Sequence, residues 1–385
     1  MEKKIITLYA GKILKQFEDK KMYVYVLLYW YEMFIGALVG KQLINSPHIL
    51  EGQKGKLRIY KRSMIAFLLV LVPLVVIMGG RNNIGIDTIT YRYIFNRIAN
   101  DGVKDLSNIE IGYKLVNVFI SKFTSNSQWL FVICAIVICG NFCRFFKNVE
   151  APLCVMLAIF LGYGYFFYAM NIMRQYLAIS IVLANVHEIE KGENKKFIIS
   201  VLVATLFHVS SLIWLVLFFV RKWDDKKFFL ATFAILLCAR LGISGLIYLL
   251  RYTAYGHFFF SESRFVLQRM SYTNIFFSAV ILIIYLSMRN RIFSVNDIRI
   301  KCVWMAFLAY LLLNPLGDSI IRMFLGFQIY GTAIIGECIS KLHPKIRGIA
   351  MLSIVFLGFL GMCTVLNLQA NQSQHFIPYE WGKFI

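Results

Sequence analysis

Apolar runs long enough to cross a bilayer recur from Met22 onward, each bounded by a short basic segment, and this pattern limits the fold more than any other feature. A hydrocarbon core of about 30 Å takes roughly 20 apolar residues as a helix, and Met22 to Gly40 and Ser63 to Gly80 come close to that length. Backbone N–H and C=O groups in lipid must pair within the segment or within a closed barrel. Continuous apolar runs lack the alternation of barrel strands, so the expectation is an all-α, polytopic transmembrane helical bundle. A hydrophobic content of 59% over 385 residues and a mean hydropathy of +0.66 agree with it.

The formal charge of +21 would by itself suit a nucleic-acid partner. The lysines and arginines, however, cluster between apolar runs, where the positive-inside rule accounts for them, and no nucleic acid is expected. Cysteines such as Cys134, Cys139, Cys154 and Cys363 lie inside apolar runs without metal-ligand spacing and read as small core residues. No P-loop, dinucleotide fingerprint or HExxH motif occurs, so neither metal nor cofactor is expected. No cleavable leader is evident, and the first spans would direct insertion.

Spans are expected at 22–40, 63–80, 127–145, 152–169, 172–187, 228–249, 274–288, 303–316, 319–339 and 348–366. Residues 197–220 carry basic residues at both ends, Lys195 and Lys196 before, Arg221 and Lys222 after, so a single crossing breaks the charge rule. A re-entrant pair turning at His208 restores it, although 197–207 as a helix reaches only about half the hydrocarbon thickness. The total is about eleven crossings. Residues 81–126 form a sizeable external loop in this scheme, as do 251–273 and 314–322. Residues 1–21 read as a basic amphipathic segment, 22–366 as one transmembrane domain and 367–385 as a short polar tail.

Within the apolar context Asn171, Arg174 and Gln175 stand at i, i+3 and i+4, and one helix would put them on one face with Ala178, Val182 and Asn185. An arginine so placed either snorkels to the interface or faces a counter-ion, a cavity or a substrate. Tyr163, Tyr165, Phe166, Phe167 and Tyr168 suit an interfacial aromatic belt or sugar stacking. His208, beside Ser210 and Ser211, is either a satisfied buried histidine or a base. Asp318 stands four residues before Arg322 and is a ready salt-bridge partner for it.

The ordered motifs Arg81-x-x-x-Gly85-x-Asp87, Glu110-x-Gly112-Tyr113, Asn171-x-x-Arg174-Gln175-x-x-Ala178 and Phe207-His208-x-Ser210 resemble those of the EpsG family. That family comprises bacterial membrane proteins of exopolysaccharide and capsule synthesis, similar in role to Wzy polymerases. The resemblance is strongest over 60–220, with Arg322 and the Pro378-Tyr379 tail fitting more loosely. Ile86 replaces the usual threonine before the aspartate, and Ile111 the usual proline after the glutamate.

The resemblance implies a polysaccharide polymerase, a membrane glycosyltransferase of the bacterial plasma membrane whose active site faces outward. Its substrate would be an undecaprenyl-diphosphate-linked oligosaccharide. The growing glycan moves from one carrier onto the sugar of another lipid-linked unit. Membrane lipids and other assembly proteins, such as a flippase and a chain-length regulator, are the implied partners. Such chemistry needs cations for the leaving diphosphate and a base for the acceptor hydroxyl. His208, Asp87 and Glu110 are the candidate catalytic groups. Arg81, Arg174 and Arg322, with Asn171, Gln175 and Tyr113, are candidates for binding the diphosphate or the sugar, and Arg251 and Arg264 belong to a second basic-aromatic segment of the same kind. A flippase of lipid-linked sugars and a glycan ligase are the alternatives. A flippase would show symmetric halves with interrupted helices, and the sequence displays no such halves.

Overall fold

The computed structural model describes residues 22–44, 53–102, 109–250, 272–293, 297–313, 318–370 and 376–384. Arg251, Arg264 and the basic segment 1–21 lie outside the described residues. Among the described residues the regular structure is helical, apart from one isolated antiparallel bridge between Arg81 and Trp381.

The helices are α1 (Tyr23–Ile44), α2 (Gln53–Gly79), α3 (Asp87–Asp101), α4 (Ile111–Ser121), α5 (Gln128–Asn148), α6 (Leu153–Gly162), α7 (Tyr165–Asn171), α8 (Met173–Asn185), α9 (His187–Glu190) and α10 (Asn194–Thr205). A 3-10 segment, Val209–Leu215, leads to α11 (Val216–Val220), followed by α12 (Asp225–Leu250), α13 (Tyr272–Ile292), α14 (Ile298–Leu312), α15 (Asp318–Met323), α16 (Leu325–Ser340) and α17 (Pro344–Ala370). They group into two compact units, Met1–Leu212 with Leu342–Ile385, and Ile213–Lys341.

Four described helices are long and apolar enough to cross a membrane: Tyr23–Gly40, Gln128–Asn148, Tyr272–Arg289 and Pro344–Asn367. A fifth span results if α6 and α7, bent by 52° at their junction, count as one. About eleven crossings, as the sequence leads one to expect, are not shown by this count, which covers the described residues, and several of the expected runs are broken or short. Gly164 takes a left-handed φ of 91° between α6 and α7, and Ile172 interrupts α7 and α8 with a ψ of 55°. The α8 and α10 helices have 13 and 12 residues. At 1.5 Å per residue each is about 20 Å long or less, well short of the hydrocarbon thickness.

In the first unit α2 packs on α5, α5 on α8 and α8 on α10, while α6 is flanked by α1 and α17. The core is aromatic. Tyr165, Phe166 and Phe167 are buried, and Phe166 and Phe167 meet edge-to-face at 5.6 Å, so these rings belong to the interior and not to an interfacial belt. Seven of the eight cysteines are buried, as expected, and Cys238 on α12 is the exposed one.

Residues 81–126, expected as a loop, contain α3 and α4. Both are amphipathic. The inner face of α4 holds Gly112, Tyr113, Asn117 and Ile120, while Ile111, Leu115 and Phe119 form an exposed stripe at a spacing of four. That arrangement suits a helix lying in the membrane interface more than a solvated connection.

The second unit is organised around a set of buried charges. Asp297 caps α14 by accepting from the Arg299 N–H at 2.9 Å, and the Arg299 guanidinium contacts Asp297 and Glu337, each at 2.6 Å. Lys301 is fully buried, and its Nζ donates to the carbonyls of Val220 at 3.1 Å and Trp223 at 2.6 Å, covering the C-terminal end of α11. Asp225 lies 3.2 Å from Arg289 and 3.8 Å from Lys301. Much of this basic cluster is therefore paired within the fold. Arg322, half-buried near the end of α15, belongs to this unit, and the side chain of Asp318, its expected partner, lies outside those described.

Candidate active site

The first unit brings seven of the expected residues together around the α7–α8 break and the start of α4. Gly85 has φ of +87°, open to glycine and strained for other residues, and a Cβ there would sit 3.3 Å from the Asn171 Oδ1. This turn aims the first N–H groups of α3 at the end of α7. The Asp87 N–H donates to Asn171 Oδ1 at 3.2 Å, so Asn171 caps the start of α3 from a distant part of the chain. Asp87 itself sits half-buried in the first turn of that helix, where a carboxylate is favoured.

Asn171 ends α7 and Arg174 lies in the first turn of α8, so the residues expected on one helix face are separated by the Ile172 break. Polar groups at the break take up contacts that a continuous apolar helix would not offer. Arg174 Nη1 donates to Glu110 Oε2 at 2.7 Å, and the guanidinium lies 5.8 Å from the centre of the Tyr113 ring. Glu110 stands at the N-cap position of α4 with extended backbone, and its side chain caps no helix N–H. Gln175 is buried beside Arg174 in α8.

His208 lies in the break between α10 and the 3-10 segment. The backbone of α4 approaches this break closely. Gly112 N–H donates to the Leu206 carbonyl at 2.8 Å, and a Cβ on Gly112 would stand 2.7 Å from that oxygen. The Ser210 N–H donates to His208 Nδ1 at 3.3 Å, and Ser210 Oγ lies 2.9 Å from the same nitrogen. This pattern assigns the neutral ring its proton on Nε2.

Arg81 differs from the other candidates. Its side chain is fully buried, Nη1 donates to the Met78 carbonyl, Nη2 donates to the Met170 carbonyl at 2.9 Å, and the guanidinium lies 4.6 Å from the Phe131 ring centre. Its geometry ties the end of α2 to the end of α7. The tail completes this junction: Asn82 N–H donates to the Glu380 carbonyl at 2.8 Å, Gly382 N–H to the Gly80 carbonyl at 2.7 Å, and the Tyr379 hydroxyl to the Ile77 carbonyl at 2.9 Å.

Three contributors escape the motif reading. Tyr91, one turn after Asp87, is buried beside Tyr113 with ring centres 6.0 Å apart. Burial pushes its hydroxyl above the ordinary phenol range, the Asp87 charge adds to this, and the Arg174 charge and backbone N–H work against it. Arg92 donates to Ser127 Oγ at 2.9 Å and to Gln128 Oε1 at 2.8 Å, and Gln128 Nε2 in turn donates to the carbonyls of Gly79 at 2.7 Å and Arg81 at 2.9 Å. Helical periodicity in 88–98 carries the signal for Tyr91, since Thr88, Tyr91, Phe95 and Ile98 form its buried face. Arg92 and Gln128 have no such signal, because their roles depend on contacts between separate elements.

The family profile of the EpsG family matches residues 64–381, most of the chain. No curated protein and no solved structure matches it.

Proposed function

Because the chain belongs to the EpsG family, with a polymerase-like role in exopolysaccharide synthesis at the membrane, we propose that it is a polysaccharide polymerase acting on polyprenyl-diphosphate-linked oligosaccharides. One carrier is the donor, and the sugar of another lipid-linked unit is the acceptor. The observation that carries the reading is the half-buried Arg174 fork paired with the Glu110 carboxylate, with Asp87 held at the same α7–α8 break through Asn171 and a histidine with an Nε2 donor nearby.

Glycosyl transfer from a diphosphate requires the leaving group's developing charge to be met and the acceptor hydroxyl to lose its proton. Arg174 is assigned to the diphosphate, since a planar guanidinium binds two phosphate oxygens at once. A carboxylate, Asp87 or Glu110, takes the hydroxyl proton. His208 donates from Nε2 to a sugar or phosphate oxygen, a role that suits its hydrogen bonding better than that of base. Asn171, Gln175 and Tyr113 shape the site, Arg81 positions it, and Arg322, Arg251 and Arg264 remain candidates for acceptor contacts. The site is assigned to the outer face of a bacterial plasma membrane, where flippase and chain-length regulator would be its partners. About eleven crossings follow if the broken and short apolar helices also enter the bilayer.

The interrupted helices at Gly164 and Ile172 favour a second reading, a flippase of lipid-linked sugars, because transporters bind substrates at such breaks. Analysis of lipid-linked intermediates in cells lacking the protein separates the two. Single repeat units on the outer leaflet with no polymer support the polymerase. Units retained on the inner leaflet sink it in favour of the flippase.

A further inference from the structure

We infer that the Glu110 carboxylate is a built-in stand-in for the donor diphosphate on Arg174, and that diphosphate binding releases Glu110 to act as the base. This rests on the polymerase reading of the site. The ion pair is short, 2.7 Å, yet both side chains retain exposure, 27% for Arg174 and 20% for Glu110, so an incoming anion can reach it. The contact joins one nitrogen to one oxygen, whereas a diphosphate offers oxygens to both arms of the fork and a larger negative charge. Glu110 makes no capping bond to α4, so leaving Arg174 does not cost the helix a terminal hydrogen bond. The Tyr113 ring lies beside the guanidinium independently of Glu110 and holds it in place through the exchange.

Once displaced, the carboxylate is at the site without its counter-ion and takes the acceptor hydroxyl's proton. The hydroxyl oxygen forms the new bond to the donor's anomeric carbon, and the bond from that carbon to the diphosphate oxygen breaks. The electron pair leaves with the diphosphate, whose charge Arg174 then carries, and Glu110 later returns its proton to water. Donor binding thereby arms the base, and an acceptor alone meets a carboxylate already occupied.

Binding of inorganic pyrophosphate to the purified full chain in nanodiscs, followed by calorimetry, tests this apart from polymer formation. Glu110→Gln, which keeps the shape but removes the competing charge, should bind pyrophosphate about fivefold more tightly than the parent chain while making no polymer. Glu110→Ala should behave likewise, and adding Arg174→Ala to either should remove binding. Unchanged or weaker binding by both Glu110 variants overturns the inference, since Glu110 would then serve to hold Arg174 in place. Absence of pyrophosphate binding in the parent chain overturns the diphosphate assignment of Arg174 and the inference with it.

Discussion

At Arg174 the fork matters as much as the charge. A lysine keeps the cation but forms no parallel pair of bonds, so Arg174→Lys should lose nearly as much polymer as Arg174→Ala, about thirty-fold to a thousand-fold per unit of membrane protein. Near-normal polymer from a well-expressed lysine variant would return Arg174 to the role of a snorkelling anchor. His208 makes a separate test. Glutamine places an N–H donor near the position of Nε2, so His208→Gln should retain clearly more polymer than His208→Ala, whereas a base at this position predicts equal loss from both. Spacing grouped Arg174 with Asn171, the resemblance to the EpsG motifs added Glu110, Asp87 and His208, and the fold does bring them together. Neither revealed that Arg81 faces inward. A cation after a span reads the same whether it binds a phosphate or the carbonyls of Met78 and Met170, because the carbonyls come from tertiary contacts.

Among the elements, the α3 turn depends on the conformation of one residue. Gly85→Ala places a side chain at φ of +87° and against Asn171, and strain of this kind costs about 1 to 3 kcal/mol. The expected result is a lower melting temperature of the purified protein together with weakened polymer synthesis; an unchanged melting curve would mean that the turn tolerates a Cβ. The helical character of 87–101 and 111–121 was hidden by their polar and aromatic composition, although the apolar positions at Ile111, Leu115 and Phe119 carry the period. The expectation of a dip ending at His208 came from charge bookkeeping along 195–227, and α10 does end beside His208 after 12 residues. At the α7–α8 junction the expected spans 152–169 and 172–187 already leave a gap, and Asn171, Arg174 and Gln175 interrupt the apolar run there.

For the whole molecule, the length of the apolar runs was enough to identify a helical membrane protein, while four to five candidate spans among the described residues stand beside the about eleven expected. The strap made by Phe376 to Phe384 bears on its orientation. Glu380 and Gly382 are bonded to the turn that follows α2, so the end of the chain and the Arg81 turn share one side of the membrane. The α2 and α17 helices both run toward this strap from basic starts, at Lys54 to Arg62 and at Lys345 and Arg347. With those starts inside, a phosphatase fused after Ile385 should be active only when exported, and a fluorescent protein that folds only in the cytoplasm should stay dark there. A bright, phosphatase-negative fusion would place the Arg81 turn in the cytoplasm. A single reporter at the terminus thus reads the sidedness of a junction some 300 residues earlier in the chain, since Tyr379 and Ile77 are 302 positions apart.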